Sequence, residues 1–155
     1  MKFDRIDHLV TKEDFCFQAW NDRYSKGVWA ALGLQDNQVD VVRDLSSAGD
    51  LDMIPAMDYV FSADWLPYVT GPTLAEAMRK LEERLAALPQ DQISRSSQWA
   101  KFVSQAIDTL YDATNGRSWY GDKTPKPLDD LPATFELAVE QADETKQDKG
   151  AINAK

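Results

Sequence analysis

Any mechanism built on a nucleophile and a nitrogen base would have to run through His8, the only histidine, or Cys16, the only cysteine. A Ser-His-Asp or Cys-His arrangement needs an imidazole to take the proton from its nucleophile, so every such site would share His8. Cys16 lies in a flanking apolar segment, between Phe15 and Phe17, and no pattern pairs it with His8. The expected role of Cys16 is therefore that of a small buried hydrophobe. One histidine and one cysteine leave zinc short of nitrogen and sulfur ligands, so no metal site is expected. Gly27 and Gly33 stand too far apart for a phosphate-cradling loop, and no cofactor is expected. Asp50 and Asp52 could offer two carboxylates to a divalent cation, but the stretch lacks the glycine and distal glutamate of an EF-hand. It reads as a solvated loop. A carboxylate-based hydrolase needs only two acids brought together by the fold. The sequence permits that and selects no particular pair, so the expectation is a protein that is not an enzyme.

The charge distribution is the feature that stands out. The chain carries 26 acidic and 17 basic residues, a net charge of −9. Between Gln35 and Asp64 lie Asp36, Asp40, Asp44, Asp50, Asp52, Asp58 and Asp64 against one base, Arg43, and they supply −6 of that total. If 36–46 is helical, Asp36, Asp40 and Asp44 form one row about 6 Å apart. Like charges at that spacing are mildly destabilising, and a row kept despite the cost suits a basic partner. An acidic surface disfavours direct binding to nucleic acid or to an anionic membrane. Among the five tryptophans, Trp20, Trp29, Trp65 and Trp99 sit in apolar periodic segments and are expected in the core. Trp119 sits between polar residues, so with Tyr120 it is the candidate apolar anchor for a partner, or else a pin for its own loop.

The elements that would position these groups centre on 73–115. Thr73 is placed to cap a helix, and Glu76 three residues on fits a capping box. Leu74, Met78, Leu81, Leu85 and Leu88 alternate four and three, which makes one stripe. Glu76 and Lys80 are placed for an i,i+4 pair, and Pro89 ends the helix. A second helix is expected from Ser94, Ser96 or Ser97, with Trp99, Phe102, Val103, Ala106, Ile107 and Leu110 inward, ending at Asn115-Gly116. A short link between them suits an antiparallel hairpin. Upstream, Thr11–Asp14 looks like a helix start, with Phe15 and Ala19 inward. Residues 28–34 suit a buried strand or one or two helical turns, and 36–45 suits a helix. Met57, Val60, Phe61, Trp65 and Tyr68 recur at helical spacing, with a strand at 59–61 as the rival. A last helix is expected to end near Asp143.

These readings predict a mainly α protein: one helical domain over 1–144, about six helices around the hairpin 73–115, and a polar tail at 145–155. The alternative is α+β, with a small sheet formed within 1–70. Length and the single cysteine allow a core without disulfides and suit a reducing, cytoplasmic setting. No apolar run approaches the ~20 residues that span a bilayer. The Gly71-Pro72-Thr73-Leu74 helix start, followed by Ala77-Met78-Arg79, resembles pieces seen in small phage accessory proteins. That likeness covers under a tenth of the chain and assigns no residue a role. The functional expectation is an acidic protein that binds, and inhibits, a basic protein surface such as a nucleic-acid-binding groove. A chaperone or scaffold for a basic protein fits the same charge. The oligomeric state is open.

Overall fold

The structure, a computed structural model, describes residues 2–23, 27–47, 54–114 and 128–153. In chain order it runs α1 (Asp4–Thr11), β1 (Cys16–Asn21), β2 (Val28–Gly33), α2 (Asp36–Ser47), α3 (Ile54–Ser62), β3 (Tyr68–Gly71), α4 (Leu74–Ala86), α5 (Gln98–Thr114) and α6 (Phe135–Asn153). The strands form one antiparallel sheet in the order β1-β2-β3. The protein is thus mainly α with a small sheet, and the all-helical expectation gives way to its α+β alternative.

Two glycines show which helices lie on which face. A Cβ on Gly33 would come within 2.7 Å of the Val39 side chain, so α2 packs against that face. A Cβ on Gly71 would come within 2.6 Å of the Ala77 backbone, so α4 packs against the other. Trp29 and Ala31 share the side of Gly33, by the alternation of a strand, and there Trp29 stacks on Trp20 of β1 and meets Phe61 of α3. Ala30 and Leu32 point the opposite way, toward α4. β2 is therefore buried on both faces, and from Trp29 to Gly33 it has no exposed residue.

This layering corrects the expected hairpin. α4 packs on β2, β3 and α1, whereas α5 packs on α2 and α3 across the sheet. The two helices are real but are not partners. Thr73 caps α4 through Glu76 N–H at 3.2 Å, yet the Glu76 carboxylate turns to Arg79 instead of closing a capping box. Lys80, expected to pair with Glu76, reaches the Thr70 carbonyl at 3.1 Å. Leu74 is exposed, and the buried stripe of α4 is Ala77, Leu81 and Leu85 together with Glu82. Ser97 is the residue that caps α5, accepting from Ala100 N–H at 3.0 Å.

The helix expected from Thr11 is also absent. Asp14 has φ +57°, a left-handed conformation that ends the α1 segment, and Phe15 N–H returns to the Leu9 carbonyl at 2.9 Å. The chain leaves that turn extended as β1, which exposes Ala19 and buries Trp20. Residues 59–61 are helical, and the third strand comes instead from 68–71, so Tyr68 belongs to β3. α6 runs to Asn153, past the expected end at Asp143, because its Glu, Gln, Lys and Ala residues favour helix without an apolar stripe. Trp20, Trp29, Trp65 and Trp99 are buried as expected. No helix among the described residues is long and apolar enough to cross a membrane.

Candidate functional site

The site follows from the phase of α2. Val39, Val42 and Leu45 are buried, and that places Asp36, Asp40 and Asp44 on the opposite, solvent-facing side. None of the three has an ion pair with a described lysine or arginine. Asp36 opens the helix, where a negative charge favours the dipole, but Asp44 stands near its negative end.

β1 runs beneath this row. Gln18 Nε2 donates to Asp40 Oδ1 at 3.4 Å, and Trp20 Nε1 donates to Ser46 Oγ at 3.1 Å. The Cys16 thiol sits against Asp36, and burial together with that carboxylate raises its pKa. Such a setting disfavours the thiolate that a nucleophile needs. Cys16 is half-buried, not the fully buried hydrophobe expected. His8 lies elsewhere, with Nε2 3.5 Å from Glu13 Oε1.

The remaining acids do not all join the row. Asp58 is exposed on α3, which packs beside α2. Asp64 is exposed at a separate cleft of about 660 Å³, next to Arg84. Asp50, Asp52, Trp119 and Tyr120 lie outside the described residues. The structure thus assembles Asp36, Asp40 and Asp44 into one surface and sets Asp64 at another.

Two features escaped the sequence. Arg84 Nη1 donates to the carbonyls of Ala63, Leu66 and Tyr68 at 2.9–3.0 Å, and burial lowers the guanidinium's pKa. Glu82 is the one carboxylate buried among the described residues. It faces backbone amides: Arg5 N–H donates to Oε1 at 3.0 Å and Ile6 N–H to Oε2 at 3.1 Å. It caps α1, whose own N-cap residue, Phe3, supplies no side-chain bond. The available signal was the lack of any capping side chain before Asp4. Among the described residues no cluster of three or more His, Cys, Asp or Glu is arranged to hold a metal. Comparison of the chain with known protein families, curated proteins and solved structures finds no match.

Proposed function

We propose that the protein is a non-enzymatic, acidic interaction protein that binds a basic protein surface and, by covering it, inhibits that partner. The observation that carries this reading is the unneutralised row of Asp36, Asp40 and Asp44 on the outer side of α2. Two like-charge i,i+4 pairs cost the helix roughly 0.2–0.5 kcal/mol each, and Asp44 adds an unfavourable charge at the helix end. Gln18 gives Asp40 one long hydrogen bond and the Cys16 thiol sits against Asp36, but no described lysine or arginine neutralises the row, whereas a cationic partner would. A nucleic-acid-binding groove is the sharpest form of such a partner. Duplex DNA carries one charge per ~1.7 Å of axis, denser than one aspartate per ~6 Å, so a decoy would recruit acids beyond α2. Asp58 on the neighbouring helix is the nearest candidate.

The test starts with pull-down of a partner from the native host, followed by binding kinetics at low and high salt. Association should slow as salt rises, because exposed charges are screened over ~10 Å at 0.1 M. Asp36→Asn, Asp40→Asn and Asp44→Asn together should weaken binding about tenfold. The same triple variant should be as stable as the parent or slightly more so. Unchanged affinity at both salt concentrations removes the row from the mechanism.

A further inference from the structure

We propose that the outer edge of β1 is a strand-addition site for an extended protein segment bearing lysine or arginine at every second position. This deepens the reading above and rests on it for the sign of the partner's charge. The hydrogen-bond phase of the sheet comes first. Asp22 N–H donates to the Gly27 carbonyl at 2.9 Å, continuing the register that pairs Trp20 with Trp29 and Gln18 with Ala31. In an antiparallel ladder bonded and non-bonded pairs alternate. The even-numbered residues of β1 therefore bond to β2, and the N–H and C=O groups of Phe17, Ala19 and Asn21 point away from the sheet. Among the described residues they meet no partner.

The opposite edge is treated differently. Leu32 N–H donates to the Pro67 carbonyl at 3.0 Å, so the carbonyls of Tyr68 and Thr70 are the outward ones on β3. Arg84 covers the first at 3.0 Å and Lys80 the second at 3.1 Å. Long cations over an edge are a standard defence against unwanted pairing. β1 reads Cys-Phe-Gln-Ala-Trp-Asn, with no charge, no proline and no glycine. Among the described residues one edge is guarded and the other is left open.

The flank of the open edge gives the partner's chemistry. Gln18 lies at Asp40 and Trp20 at Ser46, so α2 runs alongside β1 in the same direction. Alternate residues of an added strand, those on the α2 face, would be about 6.8 Å apart. The aspartates of α2 recur every ~6 Å. The two repeats are similar over the short length of the strand, and cations at alternate positions would reach Asp36 and Asp40, the two carboxylates that stand at Cys16 and Gln18. A second copy of this chain fits poorly. Pairing β1 with β1 about a two-fold axis puts both aspartate rows on one face of the joined sheet, between chains that each carry −9.

The probe is a blocked ten-residue peptide of alternating lysine and threonine, with glutamate and threonine as the control. The full-length chain is titrated at low salt while amide hydrogen exchange is followed by NMR. Saturation should slow exchange at Phe17, Ala19 and Asn21 about tenfold or more, leaving Gln18 and Trp20, already bonded, little changed. Ala19→Pro removes an outward N–H that β2 does not use, and proline is tolerated at an edge, so the variant should fold and lose binding at least about tenfold. Ala19→Lys, which adds a charge to the edge, serves the same purpose should the proline variant fail to fold. Binding that leaves those three amides unprotected and survives Ala19→Pro overturns strand addition while the acidic-surface reading stands. Protection that is equal for the glutamate peptide, or unaffected by the triple asparagine change, overturns the charge reading while the edge stands. No binding at millimolar lysine peptide overturns the proposal. Protection of the same amides in the chain alone, growing with its concentration, identifies a second copy as the occupant and overturns it too.

Discussion

Glu82→Ala should destabilise this protein far more than an average change on a helix surface, and the structure says why. The Glu82 side chain is 10% exposed, and its two oxygens serve the Arg5 and Ile6 amides at the start of α1. Loss of a helix cap costs roughly 0.5–2 kcal/mol. The Ile6 amide is buried, and a buried donor left unpaired costs roughly 1–3 kcal/mol. The contact with the Arg5 guanidinium is long, at 3.4 Å, and that side chain is well exposed, so it adds little. Together the expected loss is about 2–4 kcal/mol, or a fall in Tm of roughly 5–15 °C for a chain of this size. Glu82→Gln keeps one acceptor and should cost about half as much. Glu83→Ala is the control, because Glu83 is exposed and its partner Arg79 bonds Glu76 as well. Urea unfolding followed by tryptophan fluorescence gives the free energies, and hydrogen exchange should show α1 opening first. If the alanine and glutamine variants both unfold within about 0.5 kcal/mol of the parent, Glu82 is not the cap of α1 and the reasoning fails.

Three further outcomes follow from other buried groups. The Tyr68 hydroxyl is buried with no hydrogen-bond partner among the described residues, so Tyr68→Phe should be neutral or stabilise by about 1 kcal/mol in urea unfolding. Burial raises the pKa of Tyr59 and Tyr68 in the folded state, while the unfolded chain releases those protons near pH 10. The folded state then holds more protons than the unfolded one, so stability is level below about pH 9 and falls as pH rises above about 10. Tyr68→Phe should flatten that fall, and a slope left unchanged would count against the burial. Burial and the Asp36 carboxylate raise the Cys16 pKa, so iodoacetamide should label it more slowly at pH 8 than a free cysteine peptide, with Asp36→Asn speeding the reaction. Labelling as fast as the free peptide refutes that environment.

The helices that were legible in the sequence carry their own phase. For α2 the sequence suggests Val41, Val42 and Leu45 as the inward face; the structure buries Val39 in place of Val41, yet the aspartates at i, i+4 spacing stay on the far side either way. Thr73 and the Leu81-Leu85 spacing do the same for α4, although the buried stripe begins at Ala77 and leaves the expected Leu74 exposed. What the spacing does not state is the partner of a stripe. α4 and α5 each present an apolar face suited to the other, yet the sheet lies between their packing layers, and only long-range pairing of β1, β2 and β3 determines that. Glu82 shows the same gap on a smaller scale. A carboxylate in the charged run Arg79-Lys80-Leu81-Glu82-Glu83-Arg84 reads as solvent-facing until the amides of α1, far away in sequence, are brought to it. β1 was hidden by a coincidence: Phe15 and Ala19 stand four apart, as in a helix, while Phe15, Phe17 and Ala19 also alternate. A single residue separates the two readings, since the left-handed Asp14 stops the helical path and sends the chain out extended. That turn also fixes which backbone groups of β1 face outward, and so it couples the open edge to the acidic helix above it. The row of aspartates alone would serve any cation. Under the proposed strand addition, the adjoining edge would make a demand on a partner's backbone as well as on its sign.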